Sequence, residues 1–220
     1  MAIADPAQPA QSKPPHSVVL RMIAGRWLSQ AVCVTAALDI PELLWRRPQN
    51  ADELARALGA HPLSLERLLR ALQSAGLFEA DHAGTWTVTA LGRCLTSAGQ
   101  PSLRELAQFF GSRAHYAAWG ALEYSVRSGG CAFEHINFFP VWESSGFNEA
   151  MVGVGAVLFG GLTDAYEFSV HGSIVDVGGG AGQILAQILI KSAHTRGVVF
   201  DLPAVIPAAL RYMAERDLGA

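Results

Sequence analysis

The stretch that most constrains the fold is Ser173–Gln183, which reads SIVDVGGGAGQ. A short apolar run carries one acid, Asp176, and an apolar segment with helical spacing, Ile184–Ile190, follows the stretch. Between them stand Gly178, Gly179, Gly180 and Gly182. Strand, glycine-rich turn and helix in this order form the first half of a βαβ nucleotide-binding unit, because glycine permits a tight turn and lets a ligand reach the backbone without meeting a Cβ. The sequence therefore predicts a parallel α/β unit with a ligand at this turn.

The spacing of the glycines narrows the kind of ligand. A dinucleotide fingerprint, G-x-G-x-x-G/A, begun at Gly178 fails at its last position, which is Gln183. The pattern present is D-x-G-x-G-x-G, from Asp176 to Gly182. A second apolar strand ends in Asp201, about 20 residues after the glycines, where nucleotide sites carry the acid that binds ribose hydroxyls. These features together favour a turn that binds a ribose-containing ligand over a glycine-rich turn that binds nothing.

Composition and charge exclude several classes of protein. Hydrophobic residues make up 50% of the 220, so the chain can bury a core. The formal net charge is −3, so the chain has no excess of positive charge with which to bind a polyanion. Cys33, Cys94 and Cys131 are far apart, which predicts buried, reduced thiols and neither disulfides nor a metal site. Residues 1–16 predict a flexible tail and no signal peptide, and the apolar run Ala150–Leu162 is too short to span a bilayer. We expect a soluble cytoplasmic protein that binds neither nucleic acid nor membrane.

The first part of the chain has the pattern of a winged helix. Residues 17–37 predict a helix with apolar residues on more than one face, which would pack on its own domain and on a partner chain. Asn50 and Glu53 have capping-box spacing at the start of a helix-turn-helix. Two strand patterns, Leu77–Glu79 and Thr85–Val88, flank a turn and predict a hairpin after it.

A winged helix invites a DNA-binding interpretation, which the charges oppose. Between Ala51 and Leu95 there are four basic and five acidic residues. A protein that reads DNA needs an excess of positive charge to neutralise the phosphates. A winged-helix DNA-binding protein is therefore the less favoured alternative.

The middle of the chain predicts further helices. Ser102 and Glu105 have the spacing of a second capping box, and Ala114–Arg127 predicts one helix. After a loop that contains Phe138–Pro140, another apolar helix leads to the glycine motif.

The order of these parts resembles the small-molecule O-methyltransferases of the plant caffeate and acetylserotonin type and their bacterial natural-product relatives. In that family a winged-helix dimerisation domain precedes connecting helices and a class I, S-adenosylmethionine-dependent methyltransferase domain. The stretches that carry the resemblance are Leu77–Phe78, Trp86–Gly92, Ser102–Leu106, Trp119–Leu122, Ser125–Gly129, Ala132–Phe133, Phe147–Met151, Val175–Gly182 and Phe200–Pro203. The last two of these are the most specific.

The resemblance implies S-adenosyl-L-methionine as the cofactor and implies its contacts. The glycine loop, with Gly178, Gly180 and Gly182 and with Gly179 between them, would line the methionine part. Asp201 would accept hydrogen bonds from the ribose hydroxyls, with Leu202 beside the adenine, and Asp176 would lie near the amino group or order the turn. Phe147 and Met151 would lie near the cofactor or acceptor pocket, with core packing as the alternative.

The activity that the resemblance implies is methyl transfer to a hydroxyl of a small aromatic or polyketide-like metabolite, by a homodimer formed through the N-terminal helices and without a metal. The general-base histidine of the family lies downstream of this segment, so no catalytic residue is assigned; His171 and His194 fall outside the motifs. The alternative is a truncated, non-catalytic homologue that keeps the dimerisation module and part of the cofactor cradle. If the protein ended at residue 220, we would expect no methyl transfer from the chain alone.

The chain departs from the family pattern at Gly155 and, more widely, in the number of strands that it contains. Gly155 stands where relatives often have a serine near the cofactor carboxylate. Two strands are present where a doubly wound sheet needs about six, which predicts a C-terminally truncated chain. The expected fold is mainly α with a small winged-helix hairpin, followed by a partial α/β (Rossmann-like) class I methyltransferase domain. The predicted division is a flexible tail at 1–16, a winged-helix dimerisation domain at 17–100, connecting helices at 101–168 and the N-terminal part of the cofactor-binding domain at 169–220.

Overall fold

The computed structural model describes residues 14–137 and 146–218, so most of the predicted tail at 1–16 and the loop Phe138–Pro140 lie outside the described residues. The helices in chain order are α1 (Pro15–Ala37), α2 (Ile40–Arg46), α3 (Ala51–Leu58), α4 (Pro62–Ser74), α5 (Arg104–Phe110), α6 (Arg113–Gly120), α7 (Leu122–Ser128), α8 (Ala132–His135), α9 (Phe147–Phe159), α10 (Leu162–Ala165), α11 (Gln183–Lys191) and α12 (Ile206–Ala214). The strands are β1 (Gln49–Asn50), β2 (Phe78–Ala80), β3 (Thr85–Val88), β4 (Ser173–Val177) and β5 (Arg196–Phe200).

The helix-turn-helix and hairpin form as predicted. Glu53 N–H donates to Asn50 Oδ1 over 2.9 Å and Asn50 N–H donates to Glu53 Oε2 over 3.1 Å, which confirms the capping box at the start of α3. Strands β2 and β3 pair antiparallel with Phe78 opposite Val88. The short strand β1 was not predicted, because two residues are too few for a periodic pattern; it adds to the free edge of β3 and completes a three-stranded sheet.

The core of this part lies between α2, α3, α4 and the hairpin. Its fully buried apolar side chains are Ile40, Leu44, Leu54, Leu69, Leu72 and Phe78. Each of them contributes roughly 1.5–3 kcal/mol by leaving water. The helix faces that the apolar spacing predicts to be buried are therefore the faces that are buried in the structure.

Helix α1 behaves differently along its length. Its C-terminal part is buried at Cys33, Thr35 and Ala36, whereas the earlier turns expose large apolar side chains such as Met22, 74% exposed, and Trp27, 71% exposed. By length and composition alone, α1 is also the one helix in the described ranges that could cross a membrane. In a single copy of the chain this helix therefore carries an uncovered apolar surface.

Two predicted helical features are wrong. The capping box at Ser102 and Glu105 does not form, because Ser102 Oγ accepts a hydrogen bond from Arg104 N–H over 3.2 Å and not from Glu105 N–H, and α5 begins at Arg104. The single helix predicted over Ala114–Arg127 is two helices, α6 and α7. The break at Ala121 follows Gly120, and glycine in a helix interior is unfavourable because of its backbone freedom.

The prediction of three buried thiols is also wrong in part. Cys33 is buried, Cys94 is half-buried and Cys131 is exposed, and all three are free. Cys131 lies directly after Gly129 and Gly130, in the turn before the short helix α8, where few side chains cover it.

The α/β unit follows the predicted order. Strands β4 and β5 pair in parallel with Asp176 opposite Val199, and α11 connects them. Leu185, Ala186 and Met213 form a second, smaller core between α11, α12 and the strands. Helix α9 packs against both α5 and α11, so it joins the helical part to the α/β unit. The expected fold class is confirmed, while the division at residues 100 and 168 stays a prediction.

Candidate functional site

The glycine turn uses its glycines for two different reasons. Gly178 and Gly180 adopt φ of 72° and 58°, and a Cβ on either would meet no atom within 4 Å, so they are required by backbone conformation and face open space. Gly182 adopts φ of 77°, and a Cβ there would lie 2.6 Å from the Met213 side chain and 3.0 Å from Val199 Cγ2. Gly182 thus allows the start of α11 to pack closely on β5 and α12.

Asp201 lies directly after β5 and reaches back to the turn. Its Oδ2 accepts a hydrogen bond from Gly180 N–H over 2.8 Å, and its Oδ1 accepts one from Leu202 N–H over 2.7 Å. The side chain is half-buried. An ionised carboxylate can accept about four hydrogen bonds, so both oxygens keep capacity for a ligand.

Asp176 lies beneath the turn and not in front of it. Burial raises the pKa of its carboxyl, the nearby Asp201 charge raises the pKa further, and a hydrogen bond from Leu185 N–H opposes both. Oδ2 is buried without a hydrogen-bond partner among the described residues, and a Cβ on Gly179 would lie 2.8 Å from that oxygen. This position favours a role in ordering the turn over direct contact with a ligand.

A cavity of about 440 Å³ opens between α9, the glycine turn and the end of β5. Phe147 and Met151 line it from α9, and Leu202 lines it beside Asp201. Its size and mostly apolar wall are typical of small-molecule sites. The structure therefore brings together at one cavity nearly all the residues predicted from sequence: Phe147, Met151, Gly178, Gly179, Gly180, Asp201 and Leu202. The two remaining predicted residues, Asp176 and Gly182, do not line the cavity and lie on the other side of the turn.

Two further predictions about the site concern histidines and metals. His171 lies away from the cavity wall, where its ring accepts or donates a 2.7 Å hydrogen bond with the Tyr166 hydroxyl, and His194 does not line the cavity. Across residues 14–137 and 146–218, no three His, Cys, Asp or Glu side chains are grouped to hold a metal ion.

A second cavity, of about 480 Å³, lies between α1 and α6 and was not predicted from the sequence. The Arg26 guanidinium donates a hydrogen bond to the Tyr116 hydroxyl, and His115 stacks on Phe110 at 4.5 Å between ring centroids. Burial lowers the pKa of His115, which favours the neutral form of the ring. These residues come from separate helices and follow no motif, so only the packing of the helices could reveal them.

An aromatic cluster joins the two cavities. Phe109 contacts His115 at 5.2 Å and makes an edge contact with Phe147 at 5.5 Å, between ring centroids. Phe147 lines the cavity at the glycine turn and His115 lines the cavity beside α1. The walls of the two cavities are therefore linked through the Phe109 ring.

Parallel strands joined by a glycine-rich turn, an acid at the end of the second strand and an apolar cavity beside them define an α/β unit of the nucleotide-binding type. A family model for the O-methyltransferase dimerisation domain matches residues 20–98, and one for the O-methyltransferase domain matches residues 118–219. The chain belongs to this O-methyltransferase family.

Individual relatives agree with the family models. A phenazine O-methyltransferase from Lysobacter antibioticus is 33% identical over 96% of this chain and 64% of its own length. The crystal structure of LaPhzM superposes with a TM-score of 0.81 at 33% identity, over 94% of this chain and 64% of that one. The neocarzinostatin-biosynthesis O-methyltransferase NcsB1, solved with S-adenosylmethionine and 2-hydroxy-5-methyl naphthoic acid, has a TM-score of 0.70 at 30% identity, over 95% and 66%. The chain thus spans slightly less than two thirds of these relatives.

Proposed function

We propose that this chain is the dimerisation and cofactor-binding portion of an S-adenosylmethionine-dependent O-methyltransferase. Its acceptor is a hydroxyl on a small aromatic or polyketide-like metabolite, and it acts as a cytoplasmic homodimer. The observation that carries the proposal is the pairing of Asp201 with the Gly180 N–H at the mouth of the 440 Å³ cavity. Family membership and the relatives solved with the same cofactor support it.

The cavity fits the cofactor chemically. Gly178 and Gly180 leave the backbone open where a Cβ would project into empty space, so a ligand can lie against the turn. Asp201 has the capacity to accept hydrogen bonds from two ribose hydroxyls, and the apolar Leu202 and Val205 offer a surface for a flat base. When bound, the cofactor supplies a methyl group on a sulfonium. Phe147 and Met151 keep water away from that side of the cavity and position the acceptor.

The aromatic cluster supports a planar acceptor. Phe147 lines the cofactor cavity and His115 lines the cavity beside α1, and an aromatic acceptor packed on either ring would gain about 0.5–1.5 kcal/mol beyond burial. The Arg26 cation has no acidic partner among the described side chains and adds a positive group beside this cluster.

The exposed apolar face of α1 supports a homodimer. Leu20, Met22, Ile23 and Trp27 are each more than 60% exposed in one copy, and contiguous apolar patches of this kind mark interaction sites. A membrane could cover the same face, but the family model for the dimerisation domain begins within this helix, and Arg26 anchors the helix to Tyr116 of α6. A second copy of the chain is the favoured partner.

One observation favours a second candidate, a chain that binds cofactor without turnover. Within the described wall of the 440 Å³ cavity, Asp201 is the sole titratable side chain, and its bonds to the turn fit a binding role. Deprotonating an acceptor hydroxyl needs a base within hydrogen-bond reach.

Methyl transfer from tritiated cofactor to a panel of phenols tests whether this chain supplies its own base for the reaction. The 220-residue chain is expected to bind the cofactor, measured by calorimetry, and to transfer no label by itself. Label appearing on a phenol would show that the chain supplies its own base. Absence of cofactor binding would reject both candidates.

A further inference from the structure

Gln183 is the residue at which the dinucleotide fingerprint fails, and the structure gives it a defined place. It is the first residue of α11, directly after Gly182, and is 8% exposed. Among the described residues that line the cofactor cavity, Gln183 and Asp201 carry the two polar side chains. A carboxamide has two N–H donors and one oxygen acceptor, and in a buried position these groups need partners.

The protein itself uses one of those three groups. Gln183 Nε2 donates a hydrogen bond to the Val152 carbonyl oxygen on α9. The Oε1 atom accepts no hydrogen bond from any residue in the described ranges, and the second N–H is equally unused. The carboxamide is therefore fixed in orientation while an acceptor and a donor stay available at the cavity wall.

Gly155 makes room for this arrangement. A Cβ on residue 155 would lie 2.7 Å from Gln183 Oε1 and 3.0 Å from its Cδ and Nε2. Any side chain there would push the carboxamide away from the Val152 carbonyl. Glycine is unfavourable inside a helix such as α9, so its presence needs a local reason, and space for Gln183 is one.

We propose that Gln183 is the residue that recognises the amino-acid end of the cofactor, and that Gly155 is the position that lets it do so. This assignment rests on the proposed function. S-adenosylmethionine has a ribose at one end and an ammonium and a carboxylate at the other. Asp201 offers acceptors to the ribose, while Gln183 offers Oε1 to the ammonium and an N–H to the carboxylate. The two polar side chains of the cavity thus divide the two polar ends of the ligand.

Calorimetry with two ligands tests the assignment on the full 220-residue chain. S-adenosylhomocysteine keeps the amino-acid end and 5′-methylthioadenosine lacks it. The apolar variant Gln183→Leu is expected to weaken S-adenosylhomocysteine binding about tenfold, the typical effect of a lost hydrogen bond to a charged group, and to leave 5′-methylthioadenosine binding unchanged. Equal loss for both ligands, or loss for neither, would overturn the assignment. A wild-type chain that binds neither ligand would overturn the proposed function itself, and the assignment with it.

The role of Gly155 has its own test. Gly155→Ala is expected to reproduce the ligand pattern of Gln183→Leu, and the double variant is expected to lose no more than either single variant, because both remove the same contact. Gly161→Ala serves as the matched control, since a Cβ there meets no atom within 4 Å. Melting temperatures report whether each variant folds. Additive losses in the folded double variant would contradict the coupling between the two residues.

Discussion

Asp176 lies near the end of β4 and Asp201 directly follows β5, and the surroundings of the two carboxyls differ. Asp201 shares its oxygens with two backbone N–H groups and faces the cavity. Asp176 is covered by the turn, and one of its oxygens has no partner in the described structure. A buried carboxyl with an unmet oxygen is a cost to the ligand-free protein that the order of the turn must offset.

Asp176→Asn tests that cost through its pH dependence. The pKa of Asp176 is higher in the folded chain than in the unfolded chain, so its ionised form opposes folding above the folded pKa, and the opposition fades as pH falls towards about 4. We expect the variant to melt a few degrees above wild type at pH 7.5 and to lose this advantage near pH 4.

The exposed Asp217→Asn variant is the control for a general loss of charge and is expected to show no such trend. An Asp176→Asn chain that melts below wild type by a constant amount at every pH would mean that hydrogen bonding, and not burial of charge, governs this position.

At the scale of elements, the helices differ in how well their sequence predicts them. Helices α3 and α4 carry caps and an apolar stripe, so their start, end and inner face could be predicted. The break between α6 and α7 and the failed capping box before α5 could not, because Gly120 is one weak signal and Ser102 accepts from Arg104 N–H where the spacing predicts Glu105 N–H. The aromatic cavity beside α1 depends on packing between helices that are distant in sequence, so no local pattern predicts it.

Helix α1 is expected to form the interface of a homodimer. Wild type is expected to scatter light as a dimer of twice the 23.4 kDa chain at micromolar concentration. The double variant Ile23→Glu and Trp27→Glu places charges on side chains that are 64% and 71% exposed in one copy, so it should separate the chains without unfolding them. Leu63→Glu, on an equally exposed apolar residue of α4, is expected to stay dimeric. A wild-type chain that runs as a stable monomer would remove α1 as the interface.

In the whole molecule, α9 connects the N-terminal helices to the α/β unit. A Cβ on Gly153 would lie 2.7 Å from the Ser102 carbonyl oxygen, so α9 approaches the start of α5 closely, while Gln183 ties α9 to the cofactor turn. Arg104 at the start of α5 pairs with Asp39 beside α1 over 2.6 Å. The dimerisation module and the cofactor cavity are therefore joined through packed helices.

The sequence predicts most of the cofactor side of the site, because a glycine turn and two acids at fixed spacing are local features. The roles of the individual residues were harder to predict. The spacing of the motif predicts the same role for Gly178 and Gly182. In the structure Gly178 faces the cavity, whereas Gly182 packs against Met213. The contact between Gln183 and Gly155 joins two helices and has no local pattern at all.

We propose that the turn and Asp201 bind a ribose-containing cofactor, and calorimetry of S-adenosylhomocysteine measures this binding. Wild type is expected to bind, and Asp201→Asn, which keeps one oxygen for the Gly180 N–H but loses the charge offered to the ribose, is expected to bind about tenfold or more weakly. The 2′-deoxyribose analogue should bind wild type more weakly than the parent ligand and should bind Asp201→Asn with a smaller difference. If a folded Asp201→Asn chain binds S-adenosylhomocysteine as tightly as wild type does, Asp201 does not bind the ribose of the cofactor.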